Sequence, residues 1–100
     1  MTREEFLDIL ELGTNENTEG LCFKLLSENK EFLTFSFFKN FFGVKLDPDI
    51  NISDGYIYFS FWCDKYGWYT FWVGNGKTSS KRIIKNNINT FRHLKSLHGN

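Results

Sequence analysis

The run from Tyr56 to Val73 is aromatic on both of its faces, and few folds accommodate that. Read with the two-residue period of a strand, Ile57, Phe59, Phe61 and Cys63 fall on one side. Tyr56, Tyr58, Ser60 and Trp62 fall on the other. A polar turn, Asp64-Lys65-Tyr66-Gly67, separates this run from a second one. There Tyr69, Phe71 and Val73 lie opposite Trp68, Thr70 and Trp72. An ordinary half-buried hairpin has one apolar and one polar face. Here the second face has to be covered by the chain itself or offered to a partner.

Twelve phenylalanines, four tyrosines and three tryptophans bring the aromatic content to 19%. Part of that excess has a mundane source. Phe, Asn, Lys, Ile and Tyr all have AT-rich codons, so the composition points to an AT-rich genome such as that of a low-GC bacterium or its phage. With 100 residues, 41% of them hydrophobic, the chain forms one domain over residues 1–100 around one core, with no need of a metal or disulfide. Cys22 and Cys63 are expected to be reduced thiols in apolar surroundings. No apolar run approaches a membrane span, and the acidic start Met1-Thr2-Arg3-Glu4-Glu5 lacks a signal peptide's apolar segment. The expected location is the cytoplasm, without contact with a membrane.

Thr2-Arg3-Glu4-Glu5 has the form of a capping box. Phe6, Ile9 and Leu10 follow at helical spacing and Gly13 ends the pattern, which predicts a helix over 2–12. Residues 21–46 fit two readings. Leu33, Phe35 and Phe37 alternate with Thr34 and Ser36, as in a strand; Phe38 and Phe42, or Leu33, Phe37 and Phe41, lie four apart, as in a helix. The aromatic content favours strands at 21–26 and 32–38. Residues 43–53 read as a loop or a poor edge strand. After the hairpin, Gly74-Asn75-Gly76 turns the chain. Ile83, Ile84, Ile88, Phe91, Leu94 and Leu97 then form the stripe of an amphipathic helix over 80–97. The expected fold is α+β: an N-terminal helix, an antiparallel sheet of about four strands including the aromatic hairpin, and a C-terminal amphipathic helix packed across the sheet. In that arrangement Ile84, Ile88, Phe91 and Leu94 meet Ile57, Phe59, Phe61, Phe71 and Val73.

Net charge is zero but segregated. Residues 1–60 carry a balance of −6, whereas 77–100 hold Lys77, Lys81, Arg82, Lys85, Arg92 and Lys95 and no acid. Catalytic chemistry is poorly provided for. His93 and His98 are five apart, on different sides of a helix, and no carboxylate lies near them in sequence. Asp47-Pro48-Asp49-Ile50-Asn51 lacks the glycine and glutamate of a calcium loop. Gly74-Asn75-Gly76-Lys77-Thr78 lacks the first glycine of a phosphate loop, although amides at 78–81 could open a helix toward one phosphate. The chain is therefore read as no enzyme, with no metal and no cofactor.

Binding is the remaining class. Tyr58, Trp62, Trp68 and Trp72, with Lys81, Lys85 and Arg92, form the candidate partner-binding set. Exposed Trp and Tyr beside Arg are the usual anchors of protein interfaces. A small, motif-free, charge-segregated chain of this kind matches in style the phage proteins that inhibit host or defence proteins. The alternative is a single-stranded nucleic-acid-binding domain, with the rings stacking bases and the cations on phosphates. Self-association into a homodimer through the same face is a further possibility.

Overall fold

The computed structural model describes residues 2–43, 49–53, 55–64, 66–76 and 81–98; at 35, 49, 50, 53, 81–85 and 98 it describes the backbone alone. The chain begins with helix α1 (Arg3–Leu12). Thr2 caps it as the sequence requires, its Oγ1 accepting from Glu5 N at 3.1 Å. Gly13 ends α1 in an ordinary right-handed conformation (φ −76°). Close packing explains the glycine instead: a Cβ here would lie 3.0 Å from Cys22 Sγ and 3.2 Å from the Phe71 ring.

The segment expected to supply two strands is helical. Helix α2 (Glu19–Glu28) is followed by a 3-10 turn, Lys30–Leu33, and helix α3 (Phe35–Phe42). Neighbouring aromatics explain the outcome. A strand would send Phe37 and Phe38 to opposite faces, and likewise Phe41 and Phe42. A helix gathers all four on one side, where each is buried or half-buried. Local signals agree. Thr34 Oγ1 accepts from Phe37 N at 3.3 Å, and Gly43 closes α3 in the left-handed conformation at φ +67°, its N–H donating to Lys39 O. In α2, the spacing of Glu19, Cys22 and Leu26 puts these three buried residues on one face.

Among the described residues the sheet has three strands rather than four, in the order β1 (Asp49–Ser53), β2 (Tyr56–Cys63) and β3 (Gly67–Gly74), all antiparallel. The edge strand β1 comes from the segment read as loop or poor strand. Register pairs Phe59 with Phe71, Tyr58 with Trp72 and Trp62 with Trp68. Helix α4 (Lys81–His98) closes the fold.

One sheet face carries the core, as the alternation predicts. Ile57, Phe59, Phe61, Phe71 and Val73 are buried against the helical layer. Phe38 joins the layers, its ring 4.9 Å from Phe59 and 5.3 Å from Phe61. Phe6 meets Phe37 edge-on at 4.7 Å, and Phe59 stacks on Phe71 at 5.4 Å. Such pairs add about 0.5–1.5 kcal/mol each beyond their buried area.

The C-terminal helix packs on the sheet as expected, but along β3 and its edge rather than across the whole face. Helix α4 runs beside β3 and also contacts α1 and α3. Phe91 and Leu94 reach the shared core, while the face itself is roofed by α2 and α3. Polar side chains explain the placement. Asn87 Oδ1 accepts from Trp72 N at 2.8 Å, and Asn87 Nδ2 donates to Trp72 O and, at 3.3 Å, to Gly13 O. Thr90 Oγ1 donates to Thr70 O at 2.8 Å. The edge of β3, which lacks a further strand, finds its hydrogen bonds in α4.

Candidate partner-binding face

The outer face of the sheet is assembled by the same alternation that builds the core. Tyr56, Tyr58, Ser60 and Trp62 from β2 share it with Trp68, Thr70 and Trp72 from β3, and Asn51 from β1 aligns with Tyr58. The core-facing aromatics Phe59, Phe61 and Phe71 are at most 1% exposed, but every described residue of the outer face retains exposure. Trp68 is the extreme at 60%. Its ring meets Trp62 at 5.7 Å with planes 71° apart. The Trp62 indole N–H donates to Asp64 Oδ1 at 3.1 Å, which fixes the ring that supports Trp68.

Tyr58, Trp62, Trp68 and Trp72 are thus brought together on one surface, as the sequence suggests. Arg92 is not. It lines a trough between α1 and α4 with Glu11, Thr14 and Asn15, in the helical layer. The backbone of Lys81 and Lys85 lies in the first turns of α4; their side chains are outside the described residues. The phosphate-loop-like residues 77 to 80 also lie outside the described residues, as do 44–48 of the Asp47–Asn51 run. The three strands contain no lysine or arginine, and their single charged residue is Asp49. A sheet of this composition offers a cation-free aromatic surface with hydroxyl and amide groups at its margins.

A second constellation was not foreseen. At the turn end of the hairpin, His93 stacks on Tyr69 at 4.4 Å and meets Tyr66 edge-on at 4.3 Å. Tyr69 Oη lies 2.9 Å from His93 Nε2. Burial holds the imidazole below its ordinary range, and burial with the neighbouring Cys63 and Tyr66 raises the Tyr69 phenol. Near neutral pH the pair is therefore a neutral ring against a protonated phenol, which joins α4 to β3. The helical spacing of His93 signalled its helix but gave no hint of Tyr69, which lies 24 residues away in sequence.

Cys22 and Cys63 are both free thiols, as expected. The Cys22 thiol is pushed up to about 12, first by burial and then by the charge of Glu19, against a backbone hydrogen bond from Gly13. Glu19 is itself fully buried, and among the described residues neither of its carboxylate oxygens has a hydrogen-bond partner. The described residues contain no group of three or more His, Cys, Asp or Glu side chains placed to hold a metal ion. Among them, no helix is long and apolar enough to cross a membrane. The chain matches no known protein family, no curated protein and no solved structure.

Proposed function

We propose that this chain is a small non-enzymatic binding protein that captures a protein partner on its outer sheet face, in the manner of phage inhibitors of host or defence proteins. One observation carries the reading: Trp68, 60% exposed, stands on Trp62 in a strand surface without a cation. A large ring held in place by a neighbour loses little entropy on binding and buries much apolar area, which is the energetics of an interface anchor. The absence of Lys and Arg from the strands favours a protein over a nucleic acid, because phosphate neutralisation supplies most of the affinity of a nucleic-acid site.

The test is capture from host-type lysate by tagged wild-type and Trp68→Ala chains, with and without nuclease, at low and high salt. A partner protein that survives nuclease and high salt, and is lost with Trp68→Ala, supports the proposal. Recovery of nucleic acid alone, lost as salt rises, transfers the face to single-stranded nucleic acid and overturns it. Equal capture by both chains overturns the assignment of the face.

A further inference from the structure

Two hollows meet along the loop that leaves α1. The first, of about 430 Å³, has Glu11, Thr14 and Asn15 on one wall and Ile88, Phe91, Arg92 and Lys95 on the other. The second, of about 320 Å³, shares Glu11, Thr14 and Asn15 and continues toward Asp8 and Thr18. The first lies within the size range of small-molecule sites, about 300–1,000 Å³. Its loop wall is preformed. Thr14 Oγ1 donates to Glu11 O at 2.7 Å, Thr18 Oγ1 donates to Leu12 O at 2.6 Å, and Asn15 Oδ1 accepts from Asn17 N at 2.8 Å.

The charges of this trough are opposed but do not pair. Among the described residues, neither the Glu11 carboxylate nor the Arg92 guanidinium has a hydrogen-bond or ion-pair partner. Lys95 Nζ stands 5.9 Å from the centre of the Phe91 ring. An acceptor on α1, two cations on α4 and the apolar side chains of Ile88 and Phe91 line this one trough, and together they define the complement of one kind of small molecule. It carries an ammonium, a carboxylate and an apolar side chain.

We propose that this trough binds a free α-amino acid with an apolar side chain. Its carboxylate lies on Arg92 and Lys95, its ammonium on Glu11, and its side chain against Ile88 and Phe91. The site is separate from the aromatic face and does not depend on the function proposed for it. Exposed charge pairs are individually weak, so the dissociation constant expected is about 1 mM.

The experiment is a titration of the ¹⁵N-labelled full chain with L-leucine, followed by amide chemical shifts. Saturable shifts confined to residues 11–18 and 88–95 are expected. N-acetyl-leucine lacks the ammonium and leucinamide lacks the carboxylate; each should bind up to about fivefold more weakly, the upper end for one exposed charge contact. Glu11→Gln should erase the preference for leucine over N-acetyl-leucine, and Arg92→Gln the preference over leucinamide. Both positions are exposed, and the spectrum itself reports that each variant is folded. The proposal is overturned by the absence of saturable shifts, by shifts centred on other residues, or by binding of both capped compounds as tightly as leucine. Variants that leave both preferences unchanged overturn it as well.

Discussion

Replacing Asn87 by leucine removes three hydrogen bonds from the junction between α4 and the sheet. The Asn87 side chain is fully buried, and it serves Trp72 N, Trp72 O and Gly13 O. An unsatisfied buried group costs about 1–3 kcal/mol, so complete loss of all three would cost up to about 9 kcal/mol. The Trp72 bonds are only partly buried, so water recovers some of this, and leucine adds apolar contact. The expected net destabilisation is about 2–4 kcal/mol, a large share of the roughly 5–15 kcal/mol that holds a domain of this size. Urea unfolding monitored by tryptophan fluorescence should show a lower midpoint at unchanged slope. Exchange of the Trp72 amide hydrogen should accelerate more than that of the Phe71 amide. Asn87→Asp separates the donor from the acceptor, because it keeps an oxygen for Trp72 N but presents a second one to two carbonyls. It should be at least as damaging as leucine at pH 7, and regain part of the loss as pH falls and the carboxyl, raised by burial and the facing carbonyls, takes up a proton. A shift below about 0.5 kcal/mol for Asn87→Leu would refute the reasoning, since that is the range of surface substitutions.

Trp68→Ala should cost no more than about 1.5 kcal/mol, the upper end for its ring pair with Trp62, while abolishing partner capture; unfolding would place Trp68 in the core instead. Stability should fall as pH drops through about 6.5, because unfolded His93 takes up a proton that the buried ring resists, and the loss should level off below the lowered folded value. His93→Gln should remove that slope from denaturation curves recorded between pH 5 and 8; a slope unchanged by it would clear His93 of the effect. Cys63, half-buried, should react with a thiol reagent well before Cys22, whose thiol sits at about 12 behind the core. A fast phase surviving Cys63→Ser would contradict that order.

The parts of the fold legible in the sequence are those whose signals are local. The Thr2 cap, the alternation on both sides of the hairpin and the stripe of α4 all depend on residues within a few turns of each other. Observed bounds for the hairpin and α4 lie within a residue of those expected. Residues 21–42 are misleading for a local reason too: their aromatic content resembles that of strands, while the adjacent pairs Phe37-Phe38 and Phe41-Phe42 need a helix to share one side. Beyond Thr34, the segments 21–26 and 32–38 have no β-branched residue, so strand preference rested on phenylalanine alone. The place of α4 was not legible. Asn87 sits on an otherwise apolar stripe, but nothing local says that its amide meets the backbone of Trp72, 15 residues earlier. On the outer face, alternation is enough to place Tyr58, Trp62, Trp68 and Trp72 together. Basic spacing along α4 said nothing about where Arg92 would face.

The closed edge of β3 also limits how copies of this chain can join. Strand β1 is the other border of the sheet, with Ile52 39% exposed, so strand-to-strand growth is available from that side alone. Two copies meeting antiparallel through β1 would form a six-stranded sheet flanked by an α4 at each end. Such a pair has no border left to recruit a third copy. Association by strand pairing through β1 would therefore be self-terminating, because the α4 cover on β3 would lie at both ends of the paired sheet.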